Sequence, residues 1–515
     1  MLACVKSGAI VGIDSKIINV EVDVSSGLPV FNLVGLPDVT IKESRERVRA
    51  AIRNSAFEFP AKRITVNLAP AFIKKEGTVL DLPIAVGILY ATGQIKDNNL
   101  LNDLIIVGEL SLDGFVKPTK GVLSVALEAK KLNLKGIIVP KACAKEAAIV
   151  EGIKVFPVET LTELVDFLSY RKDIPPFKID IHQIYQKKLN DYDCDFAEVK
   201  GQEFAKRALE IAAAGGHNVL MLGPPGVGKT MLAKRLPTIL PEMSLEEAIE
   251  VTKIYSVVGK LNIEDTLITQ RPFRAPHHTI SDIGMIGGGQ YPTPGEVTLA
   301  HNGVLFLDEL PEFPRHILEL LRIPLEENVV SISRANYSLT FPAKFILIAA
   351  MNPCPCGYLL DEHKRCRCTP SQIHKYLSKI SGPLLDRIDI QIELPPVNLK
   401  IMQNIEKVGL SSETMRKRVN EARKIQLSRF KQDKILLNSQ MSQAQLRKYC
   451  KIEEKAQQLL QDAVNNLKLS LRSYDKIFKV ARTIADLEKS EVITKEHIAE
   501  AIQYRSLDRN LEFYF

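Results

Sequence analysis

The run Gly223-Pro224-Pro225-Gly226-Val227-Gly228-Lys229-Thr230 has the residue types and spacing of a loop that grips phosphate groups. Glycines let the backbone fold so that its N–H groups point inward around an anion, and the helix that follows offers its positive end. In such a loop Lys229 reaches the β- and γ-phosphates of a nucleotide and Thr230 gives its hydroxyl to Mg²⁺. Two carboxylates, Asp308 and Glu309, follow the apolar residues 304–307 directly. Asp308 would hold Mg²⁺ through water, and Glu309 would polarise an attacking water. Asn352 ends a third apolar run, KFILIAAMNP, where a buried amide needs a partner. Beside a phosphate loop that partner is the γ-phosphate or the attacking water. The plainer alternative is a strand-ending Asn before Pro, which is good turn chemistry.

A different chemistry begins two residues later. Cys354, Cys356, Cys366 and Cys368 form two Cys-x-Cys pairs on one polar loop. Four thiolates this close can wrap one ion in the tetrahedral arrangement that Zn²⁺ favours, with His363 able to replace one ligand. Four protein ligands leave no coordination position open, so Zn²⁺ here would be structural. The chain shows no signal-peptide pattern in MLACVKSGAIVGIDS, which predicts a cytoplasmic, reducing setting and argues against disulfides.

These residues need elements to position them. A chain of 515 residues exceeds one ordinary core, and its 45% hydrophobic and 25% charged content is that of a globular protein. No run approaches the ~20 apolar residues of a membrane span, so no membrane partner is expected. A net charge of +7 permits nucleic-acid binding without arguing for it. Over residues 1–170, IINVEVDVSS, RITVNLAP, IIVGEL and GIIVP read as strands, and TIKESRERVRAAIRNS and LSVALEAKKLNL as amphipathic helices. Residues 171–195 hold a Pro-Pro pair, show no periodicity and read as a linker. Residues 196–395 return to strand–loop–helix order, with the possible zinc loop at 354–368, and residues 396–515 read almost wholly as helix. The expected fold class is α/β, in three domains.

In this order GPPGVGKT, VLFLDE, AAMNP and SGPLLDRID resemble the AAA+ ATPases. RPFRAPHHTISDIGMIGGG and SLRSYDKIFKVARTIADL resemble their magnesium-chelatase-like branch, in particular the YifB/ComM group of bacterial proteins. The resemblance spans essentially the whole chain and implies a P-loop AAA+ α/β domain with a C-terminal helical lid, ATP and Mg²⁺ as ligands, and a homo-hexameric ring. It implies that Arg387 is an arginine finger acting on the neighbouring subunit's ATP. Arg472 is then the second sensor, with Arg482 in the same helical stretch as the runner-up.

The segments KKEGTVLDLPIAVGILYATG and IIVGELSLDGFVKPTKGVLSVALEAKKLNLKGIIVP resemble the proteolytic domain of Lon proteases, an α+β fold of the ribosomal S5 domain 2 type. That enzyme uses a Ser nucleophile and a Lys base. No Ser occurs between Ala56 and Leu110, and the position matching the Lys is Leu123. The fold is expected here without the chemistry.

The substrate of such a motor is less directly written. ENVVSISRANYSLTFPAKF reads as a hairpin around Arg334, which in related motors points into the ring pore, where Arg334 would meet DNA phosphates. Arg274, His277 and His278 in RPFRAPHH are further candidates for DNA, the alternative for the histidines being ordinary packing or turn polarity. The basic stretch of residues 415–434 carries the apolar stripe Met415, Val419, Ala422 and Ile425, and its charges read as a solvated helix face. The resemblance implies a helicase that moves branched or single-stranded DNA during recombination in natural transformation. A chelatase-type motor and a protein-remodelling motor are the alternatives, and DNA-stimulated hydrolysis separates them from the first.

Overall fold

Residues 18–22 alternate apolar and polar side chains, and the chain answers with the long strand Asp14–Ser25, which buries Ile18, Val20 and Val22 on one face. The computed structural model describes residues 2–96, 100–188, 192–262, 266–289, 291–334, 337–359, 364–396, 409–433, 435–467 and 470–505. These divide into two compact units, and the first comprises Met1–Lys188 together with Leu245–Thr269. Its seven-stranded sheet runs in the order Val30–Val34, Arg63–Ala69, Asp14–Ser25, Leu2–Val11, Leu104–Ile106, Gly136–Pro140, Lys154–Val158. Leu2–Val11, Asp14–Ser25 and Arg63–Ala69 pair antiparallel, and the remaining pairings are parallel. Against this sheet lies the helix Asp81–Ala91, apolar on every side because it is buried on every side. Gly87 permits the close approach: a methyl there would stand 2.6 Å from Val22 Cγ2. The helix Val39–Asn54 is amphipathic, capped by Asp38, whose carboxylate accepts from Ile41 N at 2.7 Å.

Leu245–Thr269 falls within the range 196–395 that the sequence reads as ATPase core, yet it packs with the first unit. Its helix Leu245–Val258 buries Ala248, Val251 and Ile254, and Ser256 Oγ donates to the half-buried carboxylate of Glu146 at 2.5 Å. Glu146 also accepts from Leu123 N at 2.7 Å, and burial raises its pKa. Leu123, the position matching the Lon base, is itself buried. The linker reading of 171–195 also needs detail. Phe177 N donates to Val155 O at 2.8 Å, and Ile181–Lys188 is helical. Single apolar anchors such as Ile174 and Ile181 leave no period to read.

The second unit comprises Leu189–Ser244 and Gln270–Phe515. Its sheet is wholly parallel, in the order Phe273–Arg274, Gly303–Leu307, Phe345–Met351, Val219–Leu222, Ile390–Glu393. Strands covered on both faces become continuous apolar runs, which is why 219–222 and 303–307 are buried at every position. The register pairs Leu222 with both Met351 and Glu393, and Leu307 with Ala349. The carboxyl ends of three central strands therefore meet at one edge, the place where open α/β sheets bind ligands. The hairpin Val329–Arg334 and Tyr337–Pro342 precedes the strand Phe345–Met351, as its sequence predicts.

The remainder is helical: Ser412–Arg429, Gln443–Tyr449, Glu454–Leu467, Leu471–Leu487 and Lys495–Gln503. Met415, Val419 and Ala422 are buried as the stripe requires, but Gln426 completes it in place of Ile425. Its amide donates to Ala214 O at 3.0 Å and accepts from Asn438 N at 3.2 Å, so the buried polar group is satisfied. The helical layer closes around Asp486, which accepts from Arg429, Arg482 and Asn438. No helix among the described residues is long and apolar enough to cross a membrane.

Candidate active site

The strand Val219–Leu222 delivers the chain into the loop, and the helix Lys229–Ile239 receives it. Gly226 and Gly228 take positive φ, 85° and 93°, with open space where a side chain would stand. Gly223 is tight instead, since a methyl there would lie 2.7 Å from Leu394 O. Lys229 is buried, and its ammonium donates to Gly223 O at 2.6 Å, Pro224 O at 3.0 Å and Asn352 Oδ1 at 3.0 Å. Burial lowers its pKa, opposed by Asp308 and Glu309. A cation folded back onto carbonyls, inside a glycine cradle at a helix N-terminus, fits an anionic phosphate chain.

Asp308 and Glu309 leave the end of the strand Gly303–Leu307. Thr230 Oγ1 donates to Asp308 Oδ2 at 2.7 Å, so the two groups expected to share Mg²⁺ already face each other. Glu309 adopts a left-handed backbone, φ 53°, and its N–H donates to Asp308 Oδ1 at 3.0 Å. This turn separates the two carboxylates, Asp308 inward to Thr230 and Glu309 outward to solvent. His278 Nδ1 lies 3.7 Å from Glu309 Oε2, its ring packed on His277 and edge-on to Phe313. Asn218, which the sequence reading passed over, ties these parts together. Its side chain accepts from Leu347 N and donates to Arg387 O, both at 2.9 Å. The adjacent His217 is fully buried between Asp389, at 3.0 Å, and Thr483 Oγ1, at 2.8 Å. A lone His-Asn before an apolar strand carries no signal of this in sequence.

The four cysteines converge. Their sulfurs all lie within 4.8 Å of one another. Cys354 Sγ is 3.3 Å from Cys356 Sγ and 3.7 Å from Cys366 Sγ, and Cys356 to Cys366 is 3.6 Å. Thiolates at about 2.3 Å from a tetrahedral ion stand about 3.8 Å apart, whereas a disulfide needs about 2.05 Å. The spacing fits one thiophilic cation and no disulfide. His363 lies outside the described residues. Cys354→Ser is expected to remove bound zinc, read by elemental analysis, and to lower the Tm while the far-ultraviolet circular dichroism is kept.

Three family comparisons cover most of the chain. The magnesium chelatase subunit ChlI family matches residues 195–402, a second ChlI family matches residues 20–143, and the ChlI C-terminal family matches residues 409–505. Competence protein ComM of Haemophilus influenzae is 45% identical over 512 residues, 99% of each chain. The protein YifB of Escherichia coli is 44% identical over 515 residues, 99% of this chain and 98% of its own. The chain belongs to the YifB/ComM group of magnesium-chelatase-like AAA+ ATPases. Membership in this AAA+ family implies ATP and Mg²⁺ as ligands. Lon protease 2 of Bacillus subtilis is 32% identical over 154 residues, 28% of this chain and 27% of its own length.

Within this YifB/ComM framework the remaining candidates sort by burial. Arg482 is 1% exposed, and its guanidinium is consumed by Asp486, Glu491 O and Ser490 O. Arg472 is 63% exposed, with only a 3.9 Å approach to Asp386. Arg387 is 9% exposed and committed within its own chain, to Glu326 Oε1 at 2.5 Å, Pro383 O at 2.5 Å and Arg322 O at 3.2 Å. Arg274 forms a two-pronged pair with Glu296 at 2.5 and 2.7 Å. Arg334 ends its hairpin strand, away in sequence from this cluster.

Proposed function

We propose that this AAA+ ATPase is a motor working as a homo-hexameric ring on DNA, a branch-migration helicase of recombination and natural transformation. The observation that carries the ATPase half is the meeting of Lys229, Thr230, Asp308, Glu309 and Asn352 at one sheet edge. In this reading the N–H groups of 223–228 cradle the phosphates of ATP. Lys229 then exchanges its carbonyl partners for β- and γ-phosphate oxygens. Thr230 and Asp308 hold Mg²⁺, which would neutralise charge on the phosphates. Glu309 orients and polarises the attacking water, and Asn352 holds Lys229 and the γ-phosphate end in register. Arg387, released from Glu326, serves the neighbouring subunit's ATP as arginine finger, and the exposed Arg472 serves as second sensor. The cysteine centre holds a structural Zn²⁺.

The DNA half is supported by similarity along nearly the full length to a competence protein and by the hairpin whose first strand ends at Arg334. Among the DNA candidates the proposal centres on Arg334. The Glu296 pair occupies Arg274, His278 lies beside Glu309, and His277 packs on His278. A Lon-like unit with Leu123 in place of the base supports a binding or assembly role for the first unit. The test is ATP hydrolysis by the full-length protein with no DNA, single-stranded DNA or a four-way junction. Several-fold stimulation, greatest with the junction, is expected. Unchanged hydrolysis in all three would rule out the DNA motor and leave the chelatase-type and protein-remodelling readings.

A further inference from the structure

The cysteine loop and the phosphate loop touch at a point that neither metal binding nor nucleotide binding demands by itself. Gly357 lies between Cys356 and Tyr358, buried, at φ +84°. A methyl built on it would stand 2.7 Å from Pro225 Cδ, 3.3 Å from Pro225 Cγ and 3.9 Å from Asn352 Cγ. The backbone of the cysteine loop is thus laid directly on a proline of the phosphate loop, beside the amide that receives Lys229. Its N–H donates to Cys354 O at 2.9 Å, which locks this turn to a ligand residue. Only glycine satisfies both the left-handed backbone and the close approach.

A second tie runs through the far end of the loop. Thr369, next to Cys368, caps the helix Pro370–Leu377 through a capping box with Gln372. Tyr376 of that helix is buried, and the backbone of Asn352 acts on its hydroxyl, against the upward push of burial and of Glu312. Both ends of the four-cysteine loop therefore return to Asn352. The phosphate loop has little else to lean on around its middle, since Pro225 and Gly226 are exposed and the space beside Gly226 and Gly228 is open.

We propose that the four-cysteine centre, by holding a thiophilic divalent cation, braces the phosphate loop and so sets the affinity of the chain for nucleotide. This rests on the ATPase reading above and adds a control to it. Gathering four sulfurs on one ion fixes the turn that carries Gly357. Without the ion the four sulfurs are untethered, the loop regains its conformational entropy, and Pro225 loses its backing. The phosphate loop must then be ordered at the expense of binding.

The test uses the full-length protein and a fluorescent N-methylanthraniloyl ADP probe with Mg²⁺. Zinc is measured by elemental analysis before and after dialysis against 1,10-phenanthroline, which spares Mg²⁺. Removing zinc is expected to raise the Kd for the probe about tenfold, and adding Zn²⁺ back to restore it. Gly357→Ala keeps all four sulfurs and should retain zinc, yet weaken the probe by a comparable factor. Lys229→Ala, which retains zinc and loses the probe, shows that the signal reports the phosphate loop. An unchanged Kd on zinc removal, or a chain that takes up no zinc, overturns the brace while the ATPase reading stands. Zinc-replete wild-type protein that does not bind the probe overturns the ATPase reading itself.

Discussion

Glu309→Gln is expected to lower ATP turnover about 10²–10⁴-fold, the usual loss when a water-activating base is removed. Binding of ATP should survive, because the amide keeps the shape of the carboxylate and the phosphate contacts belong to other residues. Glu309 makes no contact that the fold needs: its side chain is exposed, and its backbone is already held by Asp308. The complementary variant, Lys229→Ala, should lose binding and turnover together. It deletes the buried cation that Gly223 O, Pro224 O and Asn352 hold in place. Steady-state hydrolysis beside equilibrium nucleotide binding distinguishes the two. An active Glu309→Gln protein would move the water-polarising role to another group, with His278, 3.7 Å from Glu309, the next candidate.

The largest stability effect is expected at Asp486, in the helical layer. Its carboxylate is fully buried and accepts from Arg429 Nη1 at 2.9 Å, Arg482 Nε at 3.1 Å, Arg482 Nη2 at 2.9 Å and Asn438 Nδ2 at 2.8 Å. Asp486→Ala leaves two guanidinium groups without their shared anion, one of them buried. Breaking such a site from one side costs about 3–5 kcal/mol. For a unit of this size that is a fall in Tm of roughly 5–8 °C. The exposed pair Lys417–Glu413 is the control, a solvent-screened contact that contributes little, so Glu413→Gln should leave the Tm nearly unchanged. A thermal melt in which the two variants behaved alike would mean the helical layer does not depend on Asp486.

The parts of the site that were legible in sequence share one property: their chemistry is local. The phosphate loop, the paired carboxylates and the cysteine pairs each announce themselves within a few residues. What stayed hidden depends on burial or on distant partners. Asp81–Ala91 gives no helical period because every face is covered, which erases the amphipathic signature. Arg472 and Arg482 are indistinguishable as letters, and only the pocket of Asp486 around Arg482 separates them. The anchoring of Arg387 to Glu326, and of Asn218 to both the strand Phe345–Met351 and Arg387, joins residues far apart in the chain. The strand readings at 63–70 and 136–140 matched because alternation or an unbroken apolar run survives in a half-covered or fully covered sheet.

The first unit is written in two instalments. Its sheet is complete by Val158, but the helix that carries Ser256 to Glu146 belongs to a segment that ends only at Thr269. Between Lys188 and Leu245 the ribosome must make the phosphate loop and its helix, which belong to the other unit. At roughly 5–20 residues per second, the last segment emerges several seconds after Lys188. During that interval Glu146 lacks one of its two hydrogen-bond donors, and the strand Val219–Leu222 waits for partners not yet synthesised. The first unit cannot finish folding before the second has begun, so the two are born interleaved, and a chain cut at residue 188 would leave the first with an unfilled place.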